Sequence, residues 1–298
     1  MAAREPGEAE KRGSMAPPLL PLLLLAMIAA AAAPVPGTAT SDGCIHVRDF
    51  GAMGDGVTDD TSALQQAIFA AFNASSSLRI PGWHSDHLGP DLCLDASHYL
   101  ITDTLNFTHS FDHPSGCAPS VRGLGSRGAS LRMNTTARDI FSVPNAFHWA
   151  VTGVTFVGGR TQLKLGNNNT DESMILVSHC SFHSSSGPAI LTEQPTPGRR
   201  GGSSGQQFPG GAHWPAEQSL RNRGMFSTQV TVRDCKFIGC NQVLVNWGDW
   251  TSVEDCWITS SPTMTNDTAV FENFDRLFLR RILGVPGAAY SPGQDRYR

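Results

Sequence analysis

The stretch TQVTVRDCKFIGCNQVLVNWGDWTSVEDCWIT, residues 228–259, decides the fold. It holds one pattern twice: alternating apolar and polar residues, an acidic residue followed by cysteine, and a second short apolar run. Related units occur at 151–159 (VTGVTFVGG), 174–183 (MILVSHCSFH) and 274–287 (FDRLFLRRILGVPG). Alternation of this kind is typical of β-strands. A strand unit that repeats predicts a solenoid, because each repeat buries its apolar side only by stacking on its neighbours.

The spacing of the repeats indicates the size of one coil. Steps of 26, 55, 21 and 24 residues separate the central apolar residues Phe156, Phe182, Phe237, Ile258 and Ile282. Steps in the twenties suit one coil of a parallel β-helix. The long step contains an insertion at 193–224 that is rich in Gly, Pro, Arg and Ser. We leave two interpretations of it open, a disordered excursion and a lid over a sugar groove.

Three cysteines occupy one position of the repeat. Cys180, Cys235 and Cys256 each stand two residues before the central apolar residue of their coil. Residues two apart on a strand share a face, so these cysteines are expected to point inward and to stack from coil to coil. The simplest interpretation is a column of small buried hydrophobic side chains, and a metal or redox ladder is the alternative.

The N-terminus has the order of a secretory leader, which we place at 1–40. Basic residues come first, an apolar run at 19–33 follows, and small residues and prolines come last. Five N-x-S/T sequons begin at Asn73, Asn106, Asn134, Asn168 and Asn266. We expect a secreted or cell-surface glycoprotein, monomeric and without a membrane segment once the leader is removed. The formal net charge of -4 provides no basic field, which excludes a nucleic-acid partner.

The cysteine count sets a second expectation. There are 7 cysteines, so at least one stays unpaired within the chain. Cys93 and Cys117 both lie in polar, loop-like sequence, and they are the pair that we expect first to form a disulfide. No CxxC pair occurs, so the spacing of the cysteines predicts no structural zinc site.

Residues 51–72, GAMGDGVTDDTSALQQAIFAAF, predict a turn followed by a helix. The glycines permit a tight turn, and the carboxylates that follow can cap helical N–H groups. An apolar side at helical spacing is formed by Leu64, Ala67, Ile68, Ala71 and Phe72. The cluster of Asp55, Asp59 and Asp60 also suits calcium, but capping explains it with fewer assumptions.

These N-terminal segments carry a resemblance to a known family. The run DFGAMGDGVTDDTSALQQAI at 49–68, followed by IPGW, YLITDTLNF and VRGLGS, resembles the N-terminal module of the pectate-lyase-like superfamily. That superfamily includes polygalacturonases, rhamnogalacturonases, certain epimerases and phage tailspikes. The resemblance spans 44–134, and it implies an all-β, right-handed parallel β-helix with an N-terminal capping helix. It specifies fold better than function, since the module occurs on catalytic and non-catalytic proteins alike.

The resulting domain prediction has four parts. A leader at 1–40 is followed by the capping module and first coils at 41–145, the repeats at 146–287 with the insertion at 193–224, and a tail at 288–298. We predict six or seven coils in all.

Candidate catalytic residues lie directly before the stacked cysteines. Asp234 and Asp255 are expected to face outward one coil apart, at about the 4.8 Å spacing of neighbouring strands. Such a pair could share a proton, bind a cation, or act as acid and base, with Arg281 one coil further on. The competing interpretation pairs Asp234 with Arg233 or Lys236 on a solvated face, which has little energetic consequence.

Candidate substrate-binding residues come from the outward positions and from the turn NWGDW. They are Lys164, His183, Trp247, Asp249, Trp250 and Glu272. The two tryptophans either stack on sugar rings or close a corner of the coil.

The resemblance implies polysaccharide chemistry, with a polysaccharide as partner. Lyases of this superfamily use a cation and a Lys or Arg base, with calcium as the expected cofactor, whereas hydrolases use two carboxylates. The polygalacturonase motifs are incomplete here: NTD occurs at 169–171, RIL stands at 281–283 in place of RIK, and no GHG occurs. We expect a lyase, hydrolase or epimerase acting on an acidic or pectin-like glycan. The alternative is a carbohydrate-binding or adhesion β-helix without turnover.

Overall fold

The structure is a computed structural model. It describes residues 42–76, 89–95, 97–108, 118–126, 128–144, 148–166, 172–192, 227–246, 250–259, 271–273, 277–284 and 291–292. The leader at 1–40, the insertion at 193–224 and most of the tail at 288–298 therefore lie outside the described residues.

Short strands dominate the described part of the chain, with one 3-10 turn at Val47–Phe50 and one α-helix, α1, at Thr61–Ser76. The strands are β1 (Cys44–His46), β2 (Asp55–Asp59), β3 (Asp91–Leu94), β4 (His98–Ile101), β5 (Leu105–Asn106), β6 (Val121–Gly123), β7 (Ala129–Met133), β8 (Phe141–Val143), β9 (Trp149–Thr152), β10 (Val154–Val157), β11 (Leu163–Leu165), β12 (Glu172–Ser178), β13 (Ser181–His183), β14 (Pro188–Thr192), β15 (Ser227–Arg233), β16 (Lys236–Ile238), β17 (Gln242–Asn246), β18 (Trp250–Glu254), β19 (Trp257–Thr259), β20 (Phe271–Asn273), β21 (Leu277–Arg280) and β22 (Ser291–Pro292).

The described strands form three parallel sheets that run along one axis. Sheet A has the order β1-β3-β6-β9-β12-β15-β18-β21, sheet B the order β2-β4-β7-β10-β13-β16-β19, and sheet C the order β5-β8-β11-β14-β17-β20-β22. Each coil passes from sheet A to sheet B to sheet C, which is the predicted right-handed parallel β-helix. Six described coils, from β3–β5 to β18–β20, carry a strand in all three sheets, and sheets B and C each contain 7 strands, which agrees with the prediction of six or seven coils. Strands β1 and β2 precede these coils and are followed by α1 in place of a strand of sheet C.

The predicted axial column is confirmed. Phe156, Phe182, Phe237 and Ile258 are in register on neighbouring strands of sheet B, and all are buried. The rings of Phe156 and Phe182 stack at 5.2 Å, and those of Phe182 and Phe237 at 4.8 Å. Each such aromatic pair contributes about 0.5–1.5 kcal/mol beyond its buried area.

The placement of Ile282 in this column was wrong. Leu283 bridges Trp257, so Ile282 is in register with Cys256 and Gly284 stands beside Ile258. The last coil therefore continues the cysteine column with an isoleucine, which packs against the core. Hydrophobicity favoured Ile282 for the column, whereas strand pairing places Gly284 there.

The cysteine column itself is confirmed as a set of buried, reduced thiols. Cys180, Cys235 and Cys256 are each about 1% exposed. Each thiol donates to the carbonyl two residues earlier, for example Cys235 Sγ to the oxygen of Arg233 at 3.1 Å. The hydrogen bond with Cys180 and burial both raise the pKa of Cys235. These buried thiols act as packing groups.

The disulfide expectation was wrong. Cys93 bonds to Cys44, with Cα atoms 5.6 Å apart, and Cys117 lies outside the described residues. Strands β1 and β3 are parallel neighbours in sheet A, which brings the two cysteines together across a sequence separation of 49. The separation along the chain does not reveal this pairing, because it depends on how much sequence one coil consumes.

The predicted helix is confirmed as a cap on the first coils. Helix α1 packs against β1, β3 and β5, and its five apolar residues are buried. The side chain of Asp59 accepts the N–H of Thr61, the first residue of the helix. Asp60 instead accepts the N–H groups of Met53 and Gly54, which holds the glycine loop closed. No helix in the described part of the chain is long and apolar enough to cross a bilayer.

Candidate functional site

The passage from sheet A to sheet B is a corner built around a single left-handed residue in each later coil. The corner residues Gly153, His179, Asp234, Asp255 and Arg281 have φ angles of 69°, 54°, 54°, 52° and 49°. Glycine adopts this conformation freely, and Asp and His are among the side chains that tolerate it best. Backbone geometry thus accounts for the residue types at this position without any reference to chemistry.

This A/B corner holds all three predicted catalytic residues in one exposed column. Arg281 donates two hydrogen bonds to the carboxylate of Asp255. The hydrogen bonds from Arg281 hold the pKa of Asp255 below its usual value. The nearest approach of His179 Nε2 to Asp234 Oδ2 is 3.9 Å. Asp255 is therefore ionised and paired with Arg281, and an ionised carboxylate cannot act as a proton donor.

Sheet C differs from this corner because long connections flank it. Two connections from sheet C to sheet A are long, 107–120 with 14 residues and 193–226 with 34, and the connection from β19 to β20 spans 260–270. The other connections from sheet C to sheet A take three to six residues. From β9 onward, the passage from sheet A to sheet B takes one or two residues. Loops on a rigid scaffold are where binding residues concentrate. The outer face of sheet C is therefore the candidate substrate surface.

One column of residues in register runs along the middle of sheet C. Its members, in register from coil to coil, are Asn106, Ser142, Lys164, Leu191, Val245 and Glu272. Lys164 is half-buried between Ser142 and Leu191. It is the only cation of the column within the described residues, and it stands near the middle of the solenoid.

An ion pair lies beside Lys164, at the corner where each coil enters sheet C. Arg160 donates from Nε and Nη2 to the two oxygens of Asp139, at 2.9 and 2.8 Å. The N–H of Thr161 donates to the same carboxylate at 3.2 Å. Asp139 is 6% exposed, whereas the side chain of Arg160 is 56% exposed. Asp139 thus holds the guanidinium of Arg160 in place, and that guanidinium is exposed to solvent at the edge of sheet C.

The electrostatics of Asp139 reflect this contact. Burial opposes its ionisation, but the hydrogen bonds and charge of Arg160, the N–H of Thr161 and the charge of Lys164 outweigh burial and lower its pKa. Asp139 therefore stays ionised and is a poor proton donor near neutral pH. The cluster has two cations and one anion, which favours an anionic ligand.

The remaining predicted residues are spread over the three sheets. His183 is half-buried in β13 of sheet B, and burial lowers its pKa. Trp250 begins β18 of sheet A, is 47% exposed, and packs its ring 4.9 Å from that of Phe278. Glu272 lies in β20 of sheet C. Trp247 and Asp249 lie outside the described residues, in the connection from sheet C to sheet A.

The structure therefore separates the predicted catalytic group from the two predicted binding residues of sheet C. Asp234, Asp255 and Arg281 lie at the A/B corner, across the coil from sheet C. Lys164 and Glu272 belong to sheet C.

Sequence analysis missed Arg160 and Asp139. Their spacing could have revealed them, because they carry opposite charges and stand 21 positions apart. Asp234 and Asp255, which lie one coil apart, have the same spacing.

Comparison with known proteins gives one family match and several fold likenesses. The family model described as "Rhamnogalacturonase A/epimerase, pectate lyase-like" matches residues 44–81, which confirms the resemblance of the N-terminal module. No curated protein matches the chain by sequence.

Two solved structures are similar to this chain. ORF18 of Geobacillus virus E2 is 14% identical, with a TM-score of 0.32, and the alignment covers 92% of this chain and 66% of that protein. The phiAB6 tailspike was solved in complex with three-repeated oligosaccharides of Acinetobacter baumannii surface polysaccharide. It is 12% identical, with a TM-score of 0.36, and the alignment covers 80% of this chain and 47% of that protein. The chain thus spans less than two thirds of the length of either protein.

Proposed function

We propose that this protein is secreted and binds an acidic polysaccharide along the outer face of sheet C, with Lys164 and Arg160 contacting the sugar carboxylates. The observation that carries the proposal is the position of Lys164, half-buried in the central column of the sheet that long connections flank. The family match at residues 44–81 supports a glycan as the ligand.

The two cations suit a uronate in different ways. An ammonium acts as a point charge with three donors, whereas a guanidinium has five donors in a fixed fork. Asp139 takes up two donors of Arg160 and holds its plane in place. A bound carboxylate would therefore meet a guanidinium that is already ordered, which reduces the entropic cost of binding.

Among the reactions open to such a site, we favour β-elimination over hydrolysis. Hydrolysis needs two carboxyl groups, one to protonate the leaving oxygen and one to activate water. Among the column residues Asn106, Ser142, Lys164, Leu191, Val245 and Glu272, only one carries a carboxyl group, so this column lacks such a pair. Elimination needs a base and a cation to neutralise the uronate. For that reaction Lys164 would act as the neutral amine base, with Arg160 and calcium holding the carboxylate; as an ammonium, Lys164 binds the carboxylate without turnover.

Binding without turnover is the second candidate, and the same column favours it. Leu191 and Val245 are the next residues in register after Lys164, and neither can act as an acid or a base, so no catalytic array continues from Lys164 on that side. The catalytic role of Asp234, Asp255 and Arg281 stays a prediction.

The experiment offers polygalacturonate, rhamnogalacturonan and alginate to the purified chain, with calcium and with a chelator. Binding is followed by calorimetry, unsaturated products by absorbance, and new reducing ends by a colorimetric assay. Unsaturated ends indicate a lyase, reducing ends without unsaturation a hydrolase, and binding alone the second candidate.

The matched variants are Lys164→Gln and Lys236→Gln. Loss of a charge-assisted hydrogen bond costs about 1.5–3 kcal/mol, so we expect Lys164→Gln to weaken binding about 10- to 100-fold. Lys236 is exposed on sheet B, and its variant should bind as the wild type does. Failure of all three glycans to bind, or equal binding by both variants, contradicts the proposal.

A further inference from the structure

The first strand carries three donor groups of the kind that hold transition metals. They occur in the segment DGCIH at 42–46 as Asp42, Cys44 and His46. Their donor atoms all lie within 4.8 Å of one another. His46 Nε2 is 3.2 Å from Asp42 Oδ2. A fourth donor stands beside them, because Cys93 is bonded to Cys44.

Backbone geometry explains this convergence. Cys44 and His46 are two apart in β1 and share the outer face of sheet A. Gly43 has a φ of 77°, a turn that lets Asp42 Oδ1 accept the N–H of Cys44 at 3.1 Å. Strand β3 pairs Cys93 directly with His46. The four side chains therefore project from two adjacent strands toward one place.

We propose that this cluster is a zinc site that opens when the Cys44–Cys93 disulfide is reduced. Two thiolates, one imidazole and one carboxylate make four ligands, the number and types that a tetrahedral structural zinc site uses. In the oxidised protein the two sulfurs are bonded to each other, so the site is closed. The disulfide and the zinc ion are thus alternative ways to join β1 to β3.

The redox step balances with a dithiol as the reductant. The dithiol closes to its own disulfide and passes two electrons and two protons to the S–S bond, which becomes the thiols of Cys44 and Cys93. Zinc then displaces one proton from each thiol to solvent. Reoxidation by an external disulfide, which takes two electrons from the thiolates and two protons from solvent to become thiols, forms the S–S bond again and releases the metal.

The surroundings of the cluster support zinc on two further counts. His46 Nδ1 faces Asp95 Oδ1 at 3.6 Å, while its Nε2 faces the other donors. A carboxylate behind a metal-binding histidine is the usual arrangement at zinc sites. Arg48 in turn holds Asp95, with Nε 3.2 Å from Oδ2.

A cation also lies close to the sulfur of Cys44. Arg122 Nη2 is 3.7 Å from Cys44 Sγ, and its guanidinium is paired with Asp91 at 2.8 Å. The pairing with Asp91 offsets the repulsion that this arginine would exert on the metal.

The test uses the full chain, reduced with a dithiol that is then removed without air, and cobalt(II) as a spectroscopic probe. We expect one cobalt per reduced chain, with thiolate charge-transfer bands that zinc abolishes by displacement, and no binding to the oxidised chain. His46→Ala and Cys93→Ser should each weaken binding at least about 10-fold, and Asp95→Asn about 10- to 100-fold.

Two cysteine variants serve as controls. Cys235→Ala removes a buried thiol of the core, and Cys117→Ser removes the cysteine outside the described residues; both should bind cobalt as the wild type does. Circular dichroism checks that the reduced chain is folded. Equal affinity in His46→Ala and the wild type, loss of the bands in Cys117→Ser, or binding only by an unfolded chain overturns the proposal.

Discussion

The A/B corner and the outer face of sheet C both carry charged side chains in register, yet the physical reasons for those charges differ. At the corner, five successive coils need a residue with positive φ, and Asp234 and Asp255 meet that need. On sheet C, ordinary strand geometry accepts any residue, so the backbone does not call for a lysine at Lys164. A charged residue that the backbone does not require is the better candidate for function.

The largest contrast should come from deleting one cation in each region. Arg160→Met leaves the carboxylate of Asp139 buried without its partner, which costs 3–5 kcal/mol for fully buried pairs. We expect about 2–3 kcal/mol here because Arg160 is half exposed. Arg281→Met should leave the unfolding free energy unchanged, since the pair at the corner is solvated. Denaturant unfolding of both variants measures the difference, and equal losses would contradict it.

A second contrast appears on acidification. The pKa of Asp139 is lowered in the folded state, so its contribution is present above the unfolded pKa near 3.8 and is lost as pH falls through the folded value. Stability of the wild type should therefore fall with acid more steeply than that of Asp139→Asn. Thermal melts from pH 6 down to the acid limit of folding measure this. Parallel curves for the two proteins would show that the ion pair has no such role.

Backbone strain at the corner gives a smaller effect. A β-branched residue tolerates positive φ poorly, so Asp234→Val should destabilise the fold by about 1–2 kcal/mol. Asp234→Gly should cost little or be neutral, because glycine adopts this conformation freely. Chemical denaturation compares the two variants. If glycine were as damaging as valine, the carboxylate itself would matter more than the backbone.

The smallest effect expected is that of Asp234→Asn combined with Asp255→Asn on glycan binding. Both side chains lie across the coil from sheet C, so the affinity for the glycan should stay within about 2-fold of that of the wild type. This is well below a tenfold change, which corresponds to about 1.4 kcal/mol. Product formation, measured on the same sample, tests the predicted catalytic role separately. Intact binding with loss of turnover would support that role, and loss of binding would move the substrate surface to the corner.

Sequence reasoning succeeded where a property is local and repeated. The alternation that predicted the strands, the inward column of Phe182 and Phe237, and the apolar side of α1 all follow from backbone periodicity. Each of these properties is visible within a few residues.

Sequence reasoning failed where the answer depends on register between coils. Ile282 was assigned to the wrong column because only strand pairing shows that Gly284 stands beside Ile258. The partner of Cys93 was missed for the same reason. The site residues Asp139 and Arg160 meet only because the two coils that carry them are stacked.

The amino-acid sequence by itself determined a solenoid: which residues alternate, which are apolar, and where a helix covers the first coils, since these depend on contacts between near neighbours in the chain. Only the tertiary structure decided which charges face the same surface, which cysteines bond and which columns continue from coil to coil. The physical reason is that connections between strands vary in length, so distance along the chain does not measure position on the coil.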